Sequence, residues 1–297
     1  MSITAYKITN NSIYTLSVIP PTLDDLTRGL PDGFYTTFTT HSGGTRVLGL
    51  RDHLDRLYKP AGKLKLRPAV EETRLREQIA DLVKSNLPHE SRIRLVLTRS
   101  TGEVFVGIQP FKALRASIYT IGVHVITSEM SRSDPRIKDS AFITASANQR
   151  RQLKGEIFEV LLTRKGRLLE GMTSNFYAVK GGVLITAQQG VLLGVTRKAI
   201  LRLARGQGMR IAFRAPVLDE KFDEAFLTSS SRGVVPIVSI NHFRVGKGRV
   251  GVWTKSIMKA YREYVEKRSE SLAGEGFKSS VIFLEDIMIS LIQFVVG

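Results

Sequence analysis

The chain has 297 residues, 42% of them apolar, enough for one large domain or two of ordinary size and for a packed core; wholesale disorder is excluded. There is no cysteine, which removes disulfides, thiolate nucleophiles and Cys-ligated metals, and the five histidines (His41, His53, His89, His124, His242) lack any HExxH-type spacing for zinc. The net charge of +17, from 44 basic and 27 acidic residues, suits anionic ligands, but no RNP-like aromatic motif, KH-type loop or zinc finger points to nucleic acid.

In chain order, the opening "MSITAYKITNNSIYTL" lacks the basic start and apolar run of a signal peptide, so a cytoplasmic protein is expected. "SIYTLSVI" (12–19) and "GFYTTFTT" (33–40) read as strands, and "TRVLGL" leads into a helix near "RDHLDRL". A second amphipathic helix covers roughly 69–86, followed by a hairpin of "RIRLVLTRS" (92–100) and "VFVGIQP" (104–110). The strand-like "YTIGVHVIT" (119–127) then gives way to "SEMSRSDPR" (128–136), which is polar, carries a proline and has no periodicity. The boundaries that follow are a small N-terminal domain over 1–120, a linker over 121–133 and a second domain over 134–272.

The second domain opens with two hairpins. "FEVLLTRKGRLLEG" (158–171) turns at residues 164–166, and "NFYAVKGGVLITA" (175–187) turns at residues 180–182. "LLGVTRKAILRLARGQG" (192–208) is a helix with Thr196 as N-cap, an apolar stripe of Ala199, Ile200, Leu203 and Ala204, and Gly206 or Gly208 at its end. Strands "EAFLTSS" (224–230) and "VVPIVSI" (234–240) precede a long helix over about 251–271 with Trp253, Ile257, Tyr261, Tyr264 and Val265 on its inner face. The remaining 273–297 form an apolar extension. Glu285 and Asp286 interrupt it and it falls short of the ~20 residues of a membrane span, so it reads as a packing or dimer-contact helix. The fold class is α+β in two domains.

Four polar features stand out. The glycine and hydroxyl at "LLGVTRK" open a helix whose free N–H groups and dipole suit a phosphate, or serve simply as a cap. The three serines of "TSSSRG" (228–233) follow a strand and form either a hydroxyl-and-amide nest or an ordinary polar turn. Arg56 is an anion clamp or the i,i+4 partner of Asp52. Glu170 follows Leu168 and Leu169 at a sheet edge, where a bare buried carboxylate costs several kcal/mol or takes up a proton, so it requires a cation. Lys154, Lys165 and Lys180 read as solvated. Lys138, in "DPRIKDSAFITA", is flanked by apolar residues and is the candidate amine nucleophile. Together these supply the amine, acid and phosphate donors that pyridoxal 5'-phosphate requires.

Over roughly residues 30–265 the sequence resembles the class IV (fold-type IV) pyridoxal-phosphate enzymes, which include branched-chain and D-amino-acid aminotransferases and aminodeoxychorismate lyase. The pattern Glu-x-x-x-x-Asn-aromatic, then Thr, then Gly-hydrophobic-Thr-Arg reads here "EGMTSNFY…LITA…LLGVTRK". The resemblance implies a small N-terminal α/β domain and a larger β-rich one, and an amino acid:2-oxo acid transaminase acting through a Lys138 aldimine. It implies Glu170 at the pyridine nitrogen, with Arg56, Val195, Thr196 and Ser230 on the phosphate. Tyr35, Thr36, Arg94 and Ser231 face the substrate by the same likeness. The resemblance implies a lysine about thirty residues upstream of the Glu, and Lys138 stands 32 positions before Glu170; aligning on Asn148 instead would put Thr144 at the lysine position. The family's "G-x-[FY]-E" ends here in Thr36, as in aminodeoxychorismate lyases, making a pyruvate-releasing lyase the alternative. A homodimer is expected by likeness, with no nucleic-acid or membrane partner.

Overall fold

A computed structural model describes residues 3–273; nearly all of the apolar extension 273–297 lies outside them. The first part of the chain forms β1 (Thr4–Ile8), β2 (Ile13–Thr15), α1 (Leu23–Arg28), β3 (Gly33–His41) and β4 (Arg46–Val47). It continues with α2 (Leu50–Lys63), α3 (Glu72–Val83), β5 (Ser91–Thr98) and β6 (Val104–Pro110). Next come α4 (Ala116–Thr120), β7 (Val123–Glu129), α5 (Ala141–Ala145), α6 (Ala147–Arg151), β8 (Ile157–Arg164), β9 (Arg167–Gly171) and β10 (Asn175–Lys180). The rest is β11 (Val183–Thr186), α7 (Val195–Gly206), β12 (Arg210–Phe213), β13 (Glu224–Ser229), β14 (Gly233–Ile240), β15 (Phe243–Arg244), α8 (Val252–Arg268) and β16 (Glu270–Ser271).

The first sheet has the order β16-β4-β3-β5-β6-β1-β2. Its two faces follow from period-2 alternation along β3 and β5. Phe34 and Phe38, with Ile93, Leu95 and Leu97, turn to α2 and α3 and pack on Leu54, Leu57, Leu75 and Ile79. Tyr35 and Val96 point the other way, into a separate cluster with Phe105 and with Ile143 of α5. That second face is one wall of the cleft described below.

The second sheet closes on itself. Its path runs β10-β13-β14-β7-β8-β9, and β9 returns to β10 through one residue pair, Glu170 opposite Asn175. β11 and β12 extend the sheet from β10. Alternation again sorts the side chains: Phe176 and Ala178 fill the barrel, while Tyr177 and Val179 lie outside under α7 and α8. The hairpin turns expected at 164–166 and 180–182 are present, with Lys165 and Gly166 and then Gly181 and Gly182 at positive φ, as two-residue hairpin loops require.

Three expectations are revised. Residues 121–133 are not a free linker, because β7 lies between β14 and β8 with Val123 and Val125 in the barrel core; the crossover between sheets is residues 111–115. The range 134–272 does not belong wholly to the second sheet, because its end returns to the first: β16 pairs with β4 and Leu272 enters the first core. Helix α7 is capped by Gly194, and Thr196 sits inside its first turn, buried. The short helices α5 and α6 have too few residues to show a periodic signal.

Helix α8 carries Ile257 and Tyr261 into the cluster beneath α7. Its first amides are held by the buried Glu224 carboxylate, which accepts from the backbone N–H of Trp253 at 3.0 Å and of Thr254 at 2.7 Å. Replacing Glu224 by Ala is expected to cost about 0.5–2 kcal/mol, as loss of a helix cap does. Urea unfolding should show a lower midpoint with an unchanged slope; an unchanged midpoint would contradict this capping role.

Candidate active site

A cleft of about 340 Å³ opens between the second face of β3 and β5 and the closing edge of the barrel. Segments that furnish it include the connection after β7, the β9–β10 junction, the start of α7 and the turn between β13 and β14, with Asp24, Arg56, Lys112 and Arg150 from α1, α2, the stretch after β6 and α6.

Lys138 reaches the cleft because its segment is stitched to β3. Ser140 N–H donates to Gly33 O at 2.9 Å, Tyr35 N–H to Lys138 O at 3.0 Å, and Gly33 N–H to the Ser140 hydroxyl at 2.8 Å. Ile137 packs into the first core on the other side. The amine therefore faces inward, 4.6 Å from the centre of the Tyr35 ring. It makes no hydrogen bond or ion pair among the described residues. Burial, together with the cations Arg132, Arg56 and Arg94, lowers its pKa to about 8, with Tyr35 opposing. Lys154, Lys165 and Lys180 are exposed.

The cation that Glu170 requires is Arg132. Its Nε donates to Glu170 Oε1 at 2.7 Å, and both side chains are at most 4% exposed. Arg132 also donates to Met172 O at 2.9 Å and lies 3.7 Å from the centre of the Phe142 ring. The other carboxylate oxygen accepts from the backbone N–H of Leu192 at 3.0 Å and from Asn175 Nδ2 at 3.4 Å. Desolvation raises the Glu170 pKa, and Arg132 and the Leu192 amide oppose that rise. Three donors occupy a carboxylate with about four acceptor positions, leaving room for one more.

Residues around Glu170 act as its support. Asn175 Nδ2 also donates to Leu192 O at 2.7 Å, tying the loop before α7 to the barrel closure. A Cβ at Gly194 would stand 2.2 Å from Asn175 Oδ1, so only glycine allows this approach. Arg197, 2% exposed, anchors the helix by donating to Thr186 Oγ1 at 2.6 Å and to Ala187 O at 2.9 Å. The Glu…Asn…Thr…Gly-x-Thr-Arg pattern is thus one connected structure.

The free amides at the start of α7, including those of Val195 and Thr196, form the opposite end of the cleft. Thr196 Oγ1 lies 3.5 Å from Ser230 Oγ, which lies 3.5 Å from His53 Nε2. Burial first, and the charges of Arg56 and Lys138 next, hold His53 well below the usual histidine range. Arg56 donates to Leu193 O at 2.9 Å and does not form the i,i+4 pair, because Asp52 pairs with Lys198 at 2.6 Å. Burial lowers the Arg56 pKa to about 10.

Tyr35, Arg94 and Ser231 line the cleft, and Thr36 does not. Thr36 shares the helix-facing side of β3 with Phe34 and Phe38, and its hydroxyl bonds His53 Nδ1 at 2.6 Å. Arg94 is held through Nε and Nη1, with Asp24 at 2.6 Å, Leu23 O at 2.9 Å and Thr37 at 3.0 Å. The sequence reading missed Arg132, Arg92, Arg150 and Arg232, all of which line the cleft. The need of Glu170 for a cation was the only signal for Arg132.

Comparison with known proteins agrees with this geometry. The family model Amino-transferase class IV matches residues 33–240. The D-alanine aminotransferase of Bacillus licheniformis is 27% identical over 256 residues, covering 79% of this chain and 88% of that protein. The branched-chain-amino-acid aminotransferase of Pseudomonas aeruginosa is 27% identical over 260 residues, covering 77% and 82%. In fold, a hypothetical aminotransferase from Mycobacterium tuberculosis, solved in its PLP-bound form, superposes with a TM-score of 0.71 at 20% identity over 89% of this chain and 99% of that one. Among the described residues, no helix is long and apolar enough to cross a membrane. The fold is that of the fold-type IV enzymes, and the chain belongs to the class IV aminotransferases.

Proposed function

We propose that this enzyme is a pyridoxal-phosphate-dependent transaminase that moves the amino group of an amino acid to a 2-oxo acid, with Lys138 as its reactive amine. The observation that carries the reading is an unpaired, desolvated amine in one cleft with a buried carboxylate and an open helix N-terminus. These residues fit the cofactor: Glu170 keeps one acceptor position for a ring N–H, while the α7 amides, Arg56, Thr196 and Ser230 suit a phosphate. When bound, pyridoxal phosphate supplies an aldehyde for the amino group and a ring that spreads the charge left at the substrate Cα.

The protein's own part is proton handling and orientation. With its pKa near 8, Lys138 is substantially neutral at mildly alkaline pH and can take a proton from the substrate Cα and return it. Arg132 and Asn175 fix the direction of the Glu170 carboxylate, so its acceptor position is set before any ligand enters. Tyr35 covers the Lys138 amine and helps exclude water from it. Thr36 lies off the cleft, so it carries no weight between transaminase and lyase.

Incubation with an amino acid and 2-oxoglutarate is expected to yield stoichiometric glutamate, and Lys138→Ala to abolish it. Pyruvate released from aminodeoxychorismate, with no glutamate formed from any donor, would establish the lyase instead. A second prediction concerns the amine itself. Only the neutral form acylates, so acetic anhydride labelling of Lys138 in the cofactor-free protein should rise with pH around a midpoint near 8. A midpoint at the ordinary lysine value would contradict the desolvated environment.

A further inference from the structure

Behind the anion end of the cleft runs a chain of three polar side chains, and two of them lie out of reach of any ligand. Thr36 on β3 and His53 on α2 are fully buried, with Thr36 Oγ1 2.6 Å from His53 Nδ1. Neither lines the cleft. The other ring nitrogen, Nε2, stands 3.5 Å from Ser230 Oγ at the turn between β13 and β14, and Ser230 does line it. Thr39 on β3 holds the same residue by its backbone, donating to Ser230 O at 3.2 Å. Phe38 packs on the His53 ring with centroids 5.0 Å apart, which helps to fix the ring's orientation. The first sheet and its helix thus reach across to Ser230 twice, once at its carbonyl and once at its hydroxyl.

Counting hydrogens gives this chain a direction. Burial and the charges of Arg56 and Lys138 keep the ring neutral, so it carries one N–H, on Nδ1 or on Nε2. His53 Nδ1 is the only partner of the Thr36 hydroxyl among the described residues. A hydrogen on Nδ1 would strand the buried Thr36 O–H without an acceptor, which costs its full desolvation. With Nδ1 bare, Thr36 donates to it, and the ring hydrogen sits on Nε2 and is directed at Ser230 Oγ. Ser230 then accepts from the ring side, and its own hydrogen is free to point into the cleft. The opposite tautomer would draw that hydrogen back to the ring and present a lone pair to an incoming anion. Thr196 Oγ1, the other neighbour of Ser230 Oγ at 3.5 Å, can donate or accept and imposes no direction.

We infer that His53 is a positioning residue, held as its Nε2–H tautomer by Thr36, that makes the Ser230 hydroxyl a donor to the phosphate at the start of α7. The identity of that anion rests on the cofactor reading above, whereas the tautomer rests on the hydrogen bonds alone. Thr36 acts on the cleft from behind, through two intervening groups.

The test reads the tautomer and the phosphate separately on the full-length protein. Long-range proton–nitrogen correlation spectra of the histidine rings, with His53 identified as the signal lost in His53→Gln, are expected to show a protonated Nε2 and a bare Nδ1. Pyridoxal phosphate and pyridoxal share the aldehyde and the ring, so the ratio of their dissociation constants after cofactor removal isolates the phosphate. Thr36→Val should lower the phosphate preference about tenfold, the worth of one hydrogen bond to a charged group, and leave pyridoxal binding unchanged, which also reports an intact fold. Thr36→Ser should keep both tautomer and preference. Combining Thr36→Val with Ser230→Ala should cost no more than Ser230→Ala alone, because the two act on one contact. A protonated Nδ1 in wild type, or a phosphate preference that survives Thr36→Val, would overturn the assignment. If pyridoxal phosphate leaves Lys138 unlabelled, yet inorganic phosphate binding weakens in Thr36→Val and not in Thr36→Ser, the cofactor reading fails and the role of His53 stands.

Discussion

The buried ion pair between Arg132 and Glu170 governs the chemistry available to the cleft. A lysine and a glutamate enclosed in one low-dielectric space would ordinarily pair with each other and neutralise the site. Here arginine, which stays charged at any physiological pH, takes the carboxylate at 2.7 Å and stacks on Phe142. Lys138 is left without an anionic partner and is surrounded by cations that disfavour its own charge. Removing one member of such a pair typically costs about 3–5 kcal/mol, because the other is stranded. One interaction thus settles both the orientation of the acid and the freedom of the amine.

The barrel explains why Glu170 is available at all. Its sheet closes through the single pair Glu170–Asn175, which sets the buried carboxylate beside the Asn175 amide. Asn175 then reaches the loop before α7, Gly194 lets that loop come close, and Arg197 pins the helix to Thr186. The acid and the helix N-terminus are consequently parts of one rigid unit. Lys138 is fastened independently to β3 of the other sheet by residues 138–140. The cleft exists because two separately braced walls meet there.

Much of this was legible in the sequence, and the parts that were not have identifiable causes. The hairpins at 164–166 and 180–182 were readable because alternating strands flank glycine-bearing turns. Glu170 was readable as an anomaly, an acid beside two leucines. Thr36 turns to the helices and Tyr35 to the cleft, since neighbours on a strand face opposite sides, and the sequence alone does not say which side is which. Arg132 was hidden in a stretch without periodicity, where composition suggests a linker and only a tertiary contact reveals a role. Arg92 and Arg94 share one face of β5, and nothing local says which of them finds Asp24, far away on α1. Distance along the chain separates those outcomes, and pattern cannot bridge it.

Lys138, kept free by the Arg132–Glu170 pair, is the amine we propose to engage the cofactor's aldehyde. Borohydride reduction of the cofactor-loaded protein, followed by proteolysis and mass mapping, measures this. The account predicts a single pyridoxyl addition on the peptide carrying Lys138. An addition on any other lysine, with Lys138 unmodified, would contradict it.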